Sequence, residues 1–585
     1  MLGIKIKDQW LSLDEDSSFE WEIENPLFVE GKLLGDISGD FSVPAMPNAS
    51  VFDYGHIISH NTNGQPSYSG EVWCDGVRLF LVTVTIESCT NRRYNLSMVN
   101  KAVSDIAGLL LTDIAWDDEA AITPPTVNAG AYPAFSHCYP VVKNDLFFAF
   151  DQDPNFQALG YMFNVGNYTG YINMPYQSTA VLVPSAVVPM FYVYYILKSF
   201  FQKIGYSFSA NWDSEMLSLF ICNSYSILDF MNVAGPPFDF FGLPATINPK
   251  NHLPKITIAK LLGDLEAKFG LKAYFNALAG TVVLRFAKDI LQQVSFVDIN
   301  SWHVTRDYVI DWTKNDIVNR CYEVDDLDGF CTEPVKVQSP NVLTATVNTF
   351  WDLPAPSTVS STLVYFVQNQ NTYFQSKAVE APPASGTYIR KWVVFSHRDY
   401  CFEVGASDSI ESSTPALMES NDTPTITVDR WITPRIDQLG SERLYFDIGM
   451  LDSIDNYVHD FGLRFSFYRG IFPTKNNVQP DYALANYAPF DAQNNIIGQY
   501  SLDYNDPDYG LHTQFLSRYY DMLQNTKVVE RDLQLSVTDL LNLDLSKKVG
   551  LVELEGLQLY FIKKIKIRFS TKGIGIARAE LCKTY

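Results

Sequence analysis

At 585 residues the chain exceeds the ~250 to 300 residues at which one hydrophobic core stops growing, so roughly three to five domains are expected. A hydrophobic fraction of 47% is that of a globular protein, whereas 14% aromatic residues, with 39 Phe and 33 Tyr, tilts the chain toward strands. With 43 basic against 66 acidic residues the net charge is −23, which argues against adhesion to nucleic acid through phosphate neutralisation, although a duct through which DNA slides without sticking would also be acidic.

The N-terminus passes from Lys5 and Lys7 into acidic residues with no apolar run of a secretory signal, so a cytoplasmic site of synthesis is expected. From Leu2 to about residue 114 the text is strand, turn, strand. In "DISGDFSVPAMPN", Ile37, Gly39, Phe41 and Val43 alternate with Asp36, Ser38, Asp40 and Ser42, the period of a strand with one wet face. Pro44 and Pro47 then remove two donors and fix φ twice, and Asn48 favours a turn, which predicts a rigid, extended exit. "GEVWCDGVRLFLVTVTI" carries an Asp75-Gly76 hairpin turn between two alternating runs, and "RRYNLSMVN" reads as a further strand. Residues 1–120 therefore read as a small β-barrel or sandwich.

The Pro- and Ala-rich "ITPPTVNAGAYPAFSH" breaks this rhythm, and residues 121–310 read as an α+β domain with two main helices. The one membrane-like run, Val181 to Phe201, is interrupted by two prolines, Ser185 and Lys198 and carries Tyr192, Tyr194 and Tyr195. A buried helix from Pro189 to about Ile204, closed by Gly205, fits it better than a span. A second helix follows Thr257 as N-cap, with Leu261, Leu262, Leu265 and Phe269 as its apolar stripe and Gly270 as its C-cap. "LKAYFN" and "TVVLRFA", joined at Ala279-Gly280, form a hairpin behind it. Residues 311–483 read as a loop-rich β domain or insertion. Residues 484–585 read as a second barrel, with a short helix capped by Ser536 and the strands "LYFIKKIKIRFS" and "IGIARAEL". The expected class is mainly β with an α+β part: multidomain, two small β-barrels plus α+β and β insertions, with approximate boundaries and domains that can be discontinuous.

Motifs for chemistry are sparse. "GASDS" at Gly405 lacks the closing glycine of a nucleophile elbow, no phosphate loop occurs, and "GIGIAR" at Gly573 lies inside a strand pattern. His56 and His60 in "GHIISH" have metal-ligand spacing, but Ile57 stands where a zincin needs its glutamate, so they read as structural or surface histidines. The acidic clusters at Asp14, Asp117 and Asp503 read as solvated turns. The last lacks the distal Glu of a calcium loop, and no carboxylate pair can be named for glycoside chemistry. Eight cysteines contain no CxxC pair. Cys321 and Cys331 flank "YEVDDLDGF", a hairpin with Asp328-Gly329 at its turn, and could face each other, but in a reducing compartment they read as buried thiols, as do Cys74 and Cys89. The aromatic runs "MFYVYYILKSFF" and "DFFGLP" read as core rather than as sugar platforms. Catalytic, cofactor-binding and metal residues are all assigned as none, and no cofactor is expected.

In their order along the chain, "DISGDFSVPAMPN", "GEVWCDGVRLF", "RRYNLSMVN", "VVPMFYVYYILKSFFQKIGYSFS", "ITIAKLLGDLEAKFGLKAYFN", "YGLHTQFLSRYYDMLQNTKVVERDLQLSVTDLLNLDLSKKV" and "LYFIKKIKIRFS" resemble the tail-tip or baseplate-hub proteins of tailed bacteriophages. The resemblance is to the form carried by phages and prophages of Bacteroides-like bacteria, and residues 311–460 match least. It implies a structural, non-enzymatic virion protein with two barrels per subunit, assembled as a homotrimer that presents a pseudo-sixfold ring to the tail tube. The implied role is to close the tube, carry a spike or fibres and let DNA pass. The implied partners are the tube or distal tail protein and the spike or fibre proteins, with DNA only in transit and no membrane span. The implied location is the virion tail, assembled in the host cytoplasm. The alternatives are a tail-associated glycan- or receptor-binding protein and a cell-wall hydrolase.

Overall fold

The computed structural model describes residues 1–29, 37–57, 65–120, 132–140, 142–143, 171–173, 188–223, 246–302, 304, 309–310, 321–323, 343–348, 352–355, 364–367, 372–380, 388–395, 399–401, 410–411, 418–419, 434–435, 463, 465–472, 482–486, 489, 496–502 and 508–583. The largest element is a 14-stranded sheet drawn from both ends of the chain. Its main path runs, by residue, 309–310, 528–533, 577–583, 556–570, 18–24, 37–44, 93–100, 77–89, 67–74, 2–6 and 9–10.

The join between the two ends follows from alternation. In Ser18–Glu24, buried Phe19, Trp21 and Ile23 alternate with Glu20, Glu22 and Glu24. In the fifteen-residue strand Gly556–Ser570, buried Ile565, Ile567 and Phe569 alternate with Lys564, Lys566 and Arg568. The antiparallel register sets Glu20 opposite Arg568, Glu22 opposite Lys566 and Glu24 opposite Lys564. Lys566 reaches Glu22 at 2.9 Å, and Lys564 reaches Glu24 at 3.0 Å and also contacts Glu22. A slip of one residue would turn every apolar side chain outward, so the register is tightly specified.

The two small barrels expected from the sequence do not stand apart: strands from both stretches are hydrogen-bonded into one sheet. Beneath it lies one core, in which Ile4, Trp21, Val43, Val84 and Leu96 pack with Leu533, Ile565, Ile567, Phe569 and Leu581. Each end of the main path is closed by a two-residue strand, which blunts the edge against further pairing. The hairpin Ser67–Cys74 to Val77–Cys89 forms as expected, with Asp75 and Gly76 at φ 50° and 79°, the backbone that suits the twist of a two-residue turn. Arg93–Asn100 is the expected next strand.

Gly556–Ser570 changes partner along one edge, from Lys548–Glu553 to Ser18–Glu24. Asn25, fully buried, occupies that junction. Its N–H donates to Lys563 O at 2.9 Å, and its side-chain amide donates to Leu545 O and Ile562 O at 2.8 Å each. Its Oδ1 accepts from Leu27 N–H at 2.9 Å and from the Tyr274 hydroxyl at 3.3 Å. One side chain thus satisfies backbone groups that a change of partner would otherwise leave unpaired, and it links both chain ends to the α+β part.

In that part the helix runs Val193–Lys203, starting after Tyr192 rather than at Pro189. Met190–Phe191 pair with His137–Cys138, and this competing ladder keeps the chain extended past the proline. Gly205, at φ +87°, takes the left-handed conformation that ends the helix. Helix Ile258–Phe269 has its expected caps: Thr257 Oγ1 accepts from Lys260 N–H at 3.2 Å, and Gly270 sits at φ +61°. Leu261, Leu262, Leu265 and Phe269 are buried in a second core against the hairpin Leu271–Asn276 to Thr281–Phe286, which Ser207–Ala210 joins in parallel. Ser536 forms a capping box with Asp539 at the start of Val537–Leu541. Between 311 and 483, strands Leu343–Val347, Val364–Val367, Thr372–Glu380 and Tyr388–Phe395 form a four-stranded sheet. Among the described residues no helix is long and apolar enough to cross a membrane.

Candidate functional site

The exit from Ile37–Pro44 is the feature that the sequence marks most clearly, and the structure shows what braces it. Ala45 N–H donates to Arg92 O at 2.7 Å, so the chain stays beside the neighbouring strand for one residue past Pro44. Asn48 is fully buried. Its amide donates to Pro44 O at 2.8 Å and Ser12 O at 3.0 Å, and its Oδ1 accepts from Ser12 N–H at 2.8 Å. Ala49, Val51 and Phe52 then turn into the core. The rigidity expected from two prolines is thus completed by an asparagine clamp.

Beyond the clamp, Asp53 and Tyr54 adopt φ of +51° and +58°, a left-handed pair without glycine that costs of order 1 kcal/mol per residue. Lys7 Nζ holds Asp53 Oδ2 at 2.6 Å and lies 4.5 Å from the centre of the Tyr68 ring. Partial burial, then Asp53, pushes the Tyr68 hydroxyl up to about 12. His56 N–H donates to the buried Tyr94 hydroxyl at 3.2 Å, which sits 2.7 Å from His56 Nδ1. His56 thus ties the loop to Tyr94. The loop so held presents Met46, Tyr54 and Ile57 to solvent. A locked backbone with exposed apolar side chains is suited to docking, because little ordering entropy remains to be lost on contact.

The other positions singled out in the sequence fall elsewhere. Asp14 pairs with Arg93 at 2.7 Å. In the cluster at Asp117 the first two carboxylates are exposed, and each member also makes a contact: Asp117 with Lys203 at 2.6 Å, Asp118 accepting from Asn248 at 2.8 Å and the half-buried Glu119 accepting from the Tyr195 hydroxyl at 2.6 Å. Cys321 has Cys401 as its cross-strand register partner. Cys74 is a buried free thiol and Cys89 a half-buried one whose Sγ donates to Gly55 O. His60, Cys331 with the Asp328-Gly329 turn, Gly405, Asp503 and the "DFFGLP" run lie outside the described residues. Among the described residues no three His, Cys, Asp or Glu side chains converge as a metal site.

Two buried polar constellations have no local signal in the sequence. Glu215 and Arg469, 254 positions apart, form a buried ion pair that grips a third segment. Glu215 accepts from the backbone N–H groups of Gln499 and Tyr500, and Arg469 donates to Tyr500 O at 2.6 Å. Burial lowers the Arg469 guanidinium to about 9. His137 is fully buried between the Ser136 hydroxyl at 3.0 Å and the Tyr139 hydroxyl at 3.1 Å, and burial without a counter-charge depresses it to about 3. The Glu215–Arg469 pair holds distant segments together, whereas the hydrogen bonds of His137 are to its own neighbours in the chain.

No family model matches the sequence, and no curated protein matches it. Among solved structures the chain is similar to the 43 kDa tail protein of prophage MuSo2 from Shewanella oneidensis, at 9% identity and a TM-score of 0.30, covering 99% of this chain and 95% of that one. It is similar to a tail protein from Neisseria meningitidis MC58 at 9% identity and a TM-score of 0.31, with 99% and 95% covered. It is also similar to the prophage tail protein gp18 from Listeria monocytogenes EGD-e at 7% identity and a TM-score of 0.28, with 99% and 94% covered. At TM-scores near 0.3 these similarities carry no argument for fold or role.

Proposed function

We propose that the chain is a structural component of a phage tail, a tail-tip or baseplate hub that closes the tail tube, carries a spike or fibres and lets DNA pass. The observation that carries this reading is the resemblance of ordered segments over most of the sequence. The joining of strands 18–24 and 556–570 into one sheet supports it, because a part under load in an assembly gains from distant segments that are locked together. The braced loop at Met46, Tyr54 and Ile57 offers a preformed contact of the kind an assembly uses. In this reading the subunit acts by fit and not by turnover, and three copies form the ring that meets a sixfold tube.

The net charge of −23 has a physical use in that role: carboxylates along a bore repel duplex DNA, and several phosphate contacts would slow its passage. The test is quantitative mass spectrometry of purified tail particles, combined with antibody labelling. The chain should be present in a few copies per particle and labelled at the tube's distal end. Its absence from particles, or measurable release of sugars or peptides from host wall by the purified protein, would refute the reading.

A further inference from the structure

Two clusters of apolar side chains stand in solvent on the body built around the main sheet. One is Met46, Tyr54 and Ile57 on the braced loop. The other is the tip of the hairpin between Lys548–Glu553 and Gly556–Ser570, where Val552 and Leu557 are cross-strand partners and Leu554, at the turn, is 93% exposed. Beside each cluster is a charge with no partner among the described residues: Arg92, whose carbonyl holds Ala45, at the loop, and Glu555, next to Leu554, at the hairpin. Neighbouring charges are paired, Lys7 with Asp53, Arg93 with Asp14 and Glu553 with Arg531. The two-residue strands at the ends of the main path leave little backbone there for strand addition, so side chains are the natural contact on this body.

We propose that the two clusters are the halves of one head-to-tail contact between copies of this chain, with the Leu554 hairpin seated on Met46, Tyr54 and Ile57 and Glu555 meeting Arg92. A second copy is the occupant because the leftover charges are opposite, one at each cluster, and each apolar cluster has the chemistry to cover the other. Both clusters stand on a single core, which fixes their relative placement, and a contact between unlike surfaces repeats from copy to copy until a ring closes. This proposal rests on the multi-copy reading above and names its surface.

The test is sedimentation of the full chain across a concentration series. Arg92→Glu and Glu555→Arg should each weaken self-association by about tenfold, and the double exchange should recover most of that loss. Both side chains are exposed and unpaired among the described residues, so circular dichroism and melting should be unchanged. In a second arm, Met46→Cys and Leu554→Cys proteins should form an oxidised dimer when mixed and not when kept apart. Oligomers indifferent to both reversals, or a double exchange no better than the single ones, would overturn the surface and leave the multi-copy reading standing. A monomer at every concentration would overturn both.

Discussion

Replacing Asn25 by alanine should reveal how far the two ends of the chain depend on each other. The substitution strips the carbonyls of Leu545 and Ile562 of their donor and the Leu27 N–H of its acceptor, all at a fully buried position. With each orphaned buried group costing 1 to 3 kcal/mol, and some relief from relaxation, the expected loss is about 3 to 6 kcal/mol. That is a large share of the ~5 to 15 kcal/mol that a folded domain has in hand. Urea unfolding followed by tryptophan fluorescence, with Trp21 as an internal reporter, would measure it. Hydrogen exchange would show whether 18–24 and 564–570 lose protection together, as strands of one ladder must. A loss below about 1 kcal/mol, or strand 564–570 still protected while 18–24 opens, would refute the idea that Asn25 joins the two ends.

Further outcomes follow from named contacts. Glu22→Lys, placed between Lys564 and Lys566, should cost about 1 kcal/mol, and adding Lys566→Glu should restore part of it in denaturant titrations, since these pairs are half exposed. His137 is stabilising while neutral. Its folded value of about 3 lies below the ordinary 6.5, so stability is fully present above pH 6.5 and falls by about 1.4 kcal/mol per unit as pH drops toward 3. Urea midpoints of His137→Gln compared with the parent at pH 7 and pH 4.5 should show the parent's slope flattened by the substitution. Pro44→Ala with Pro47→Ala should fold with a loss near 1 kcal/mol and assemble poorly, whereas Asn48→Ala, which strands Pro44 O, Ser12 O and Ser12 N–H, should cost about 3 kcal/mol by thermal or chemical melting.

Local structure was legible in the sequence wherever its cause is local. The Asp75-Gly76 turn, the Thr257 and Ser536 caps and the Gly270 terminus each depend on a few neighbouring residues, and each stands where the pattern put it. The helix start at Tyr192 was not legible, because Pro189 is a good first helical residue and the competing partner, His137–Cys138, lies some fifty residues upstream. The single sheet was hidden for a related reason. "FEWEIE" and "KIKIRF" match in alternation and oppose in charge, but they are more than five hundred residues apart, and nothing local pairs them.

The candidate site was half legible. Two prolines announced a stiff exit from the Ile37–Pro44 strand. The asparagine read as a turn former, because its partners, Ser12 and the Pro44 carbonyl, are revealed only by tertiary structure. Asn25, Asn173 and Asn223 are likewise fully buried and donate to main-chain carbonyls at junctions that no sequence window contains. Glu215 and Arg469 belong to the same class, a buried pair whose members meet through the fold alone.

Cryo-electron microscopy of intact tail particles should show a ring of copies of this chain at the distal end of the tube, each with one sheet that joins strands from residues 2–100 to strands from residues 528–583. Particles whose tip contains no such chain, or in which the two chain ends form bodies that do not share a sheet, would contradict this arrangement.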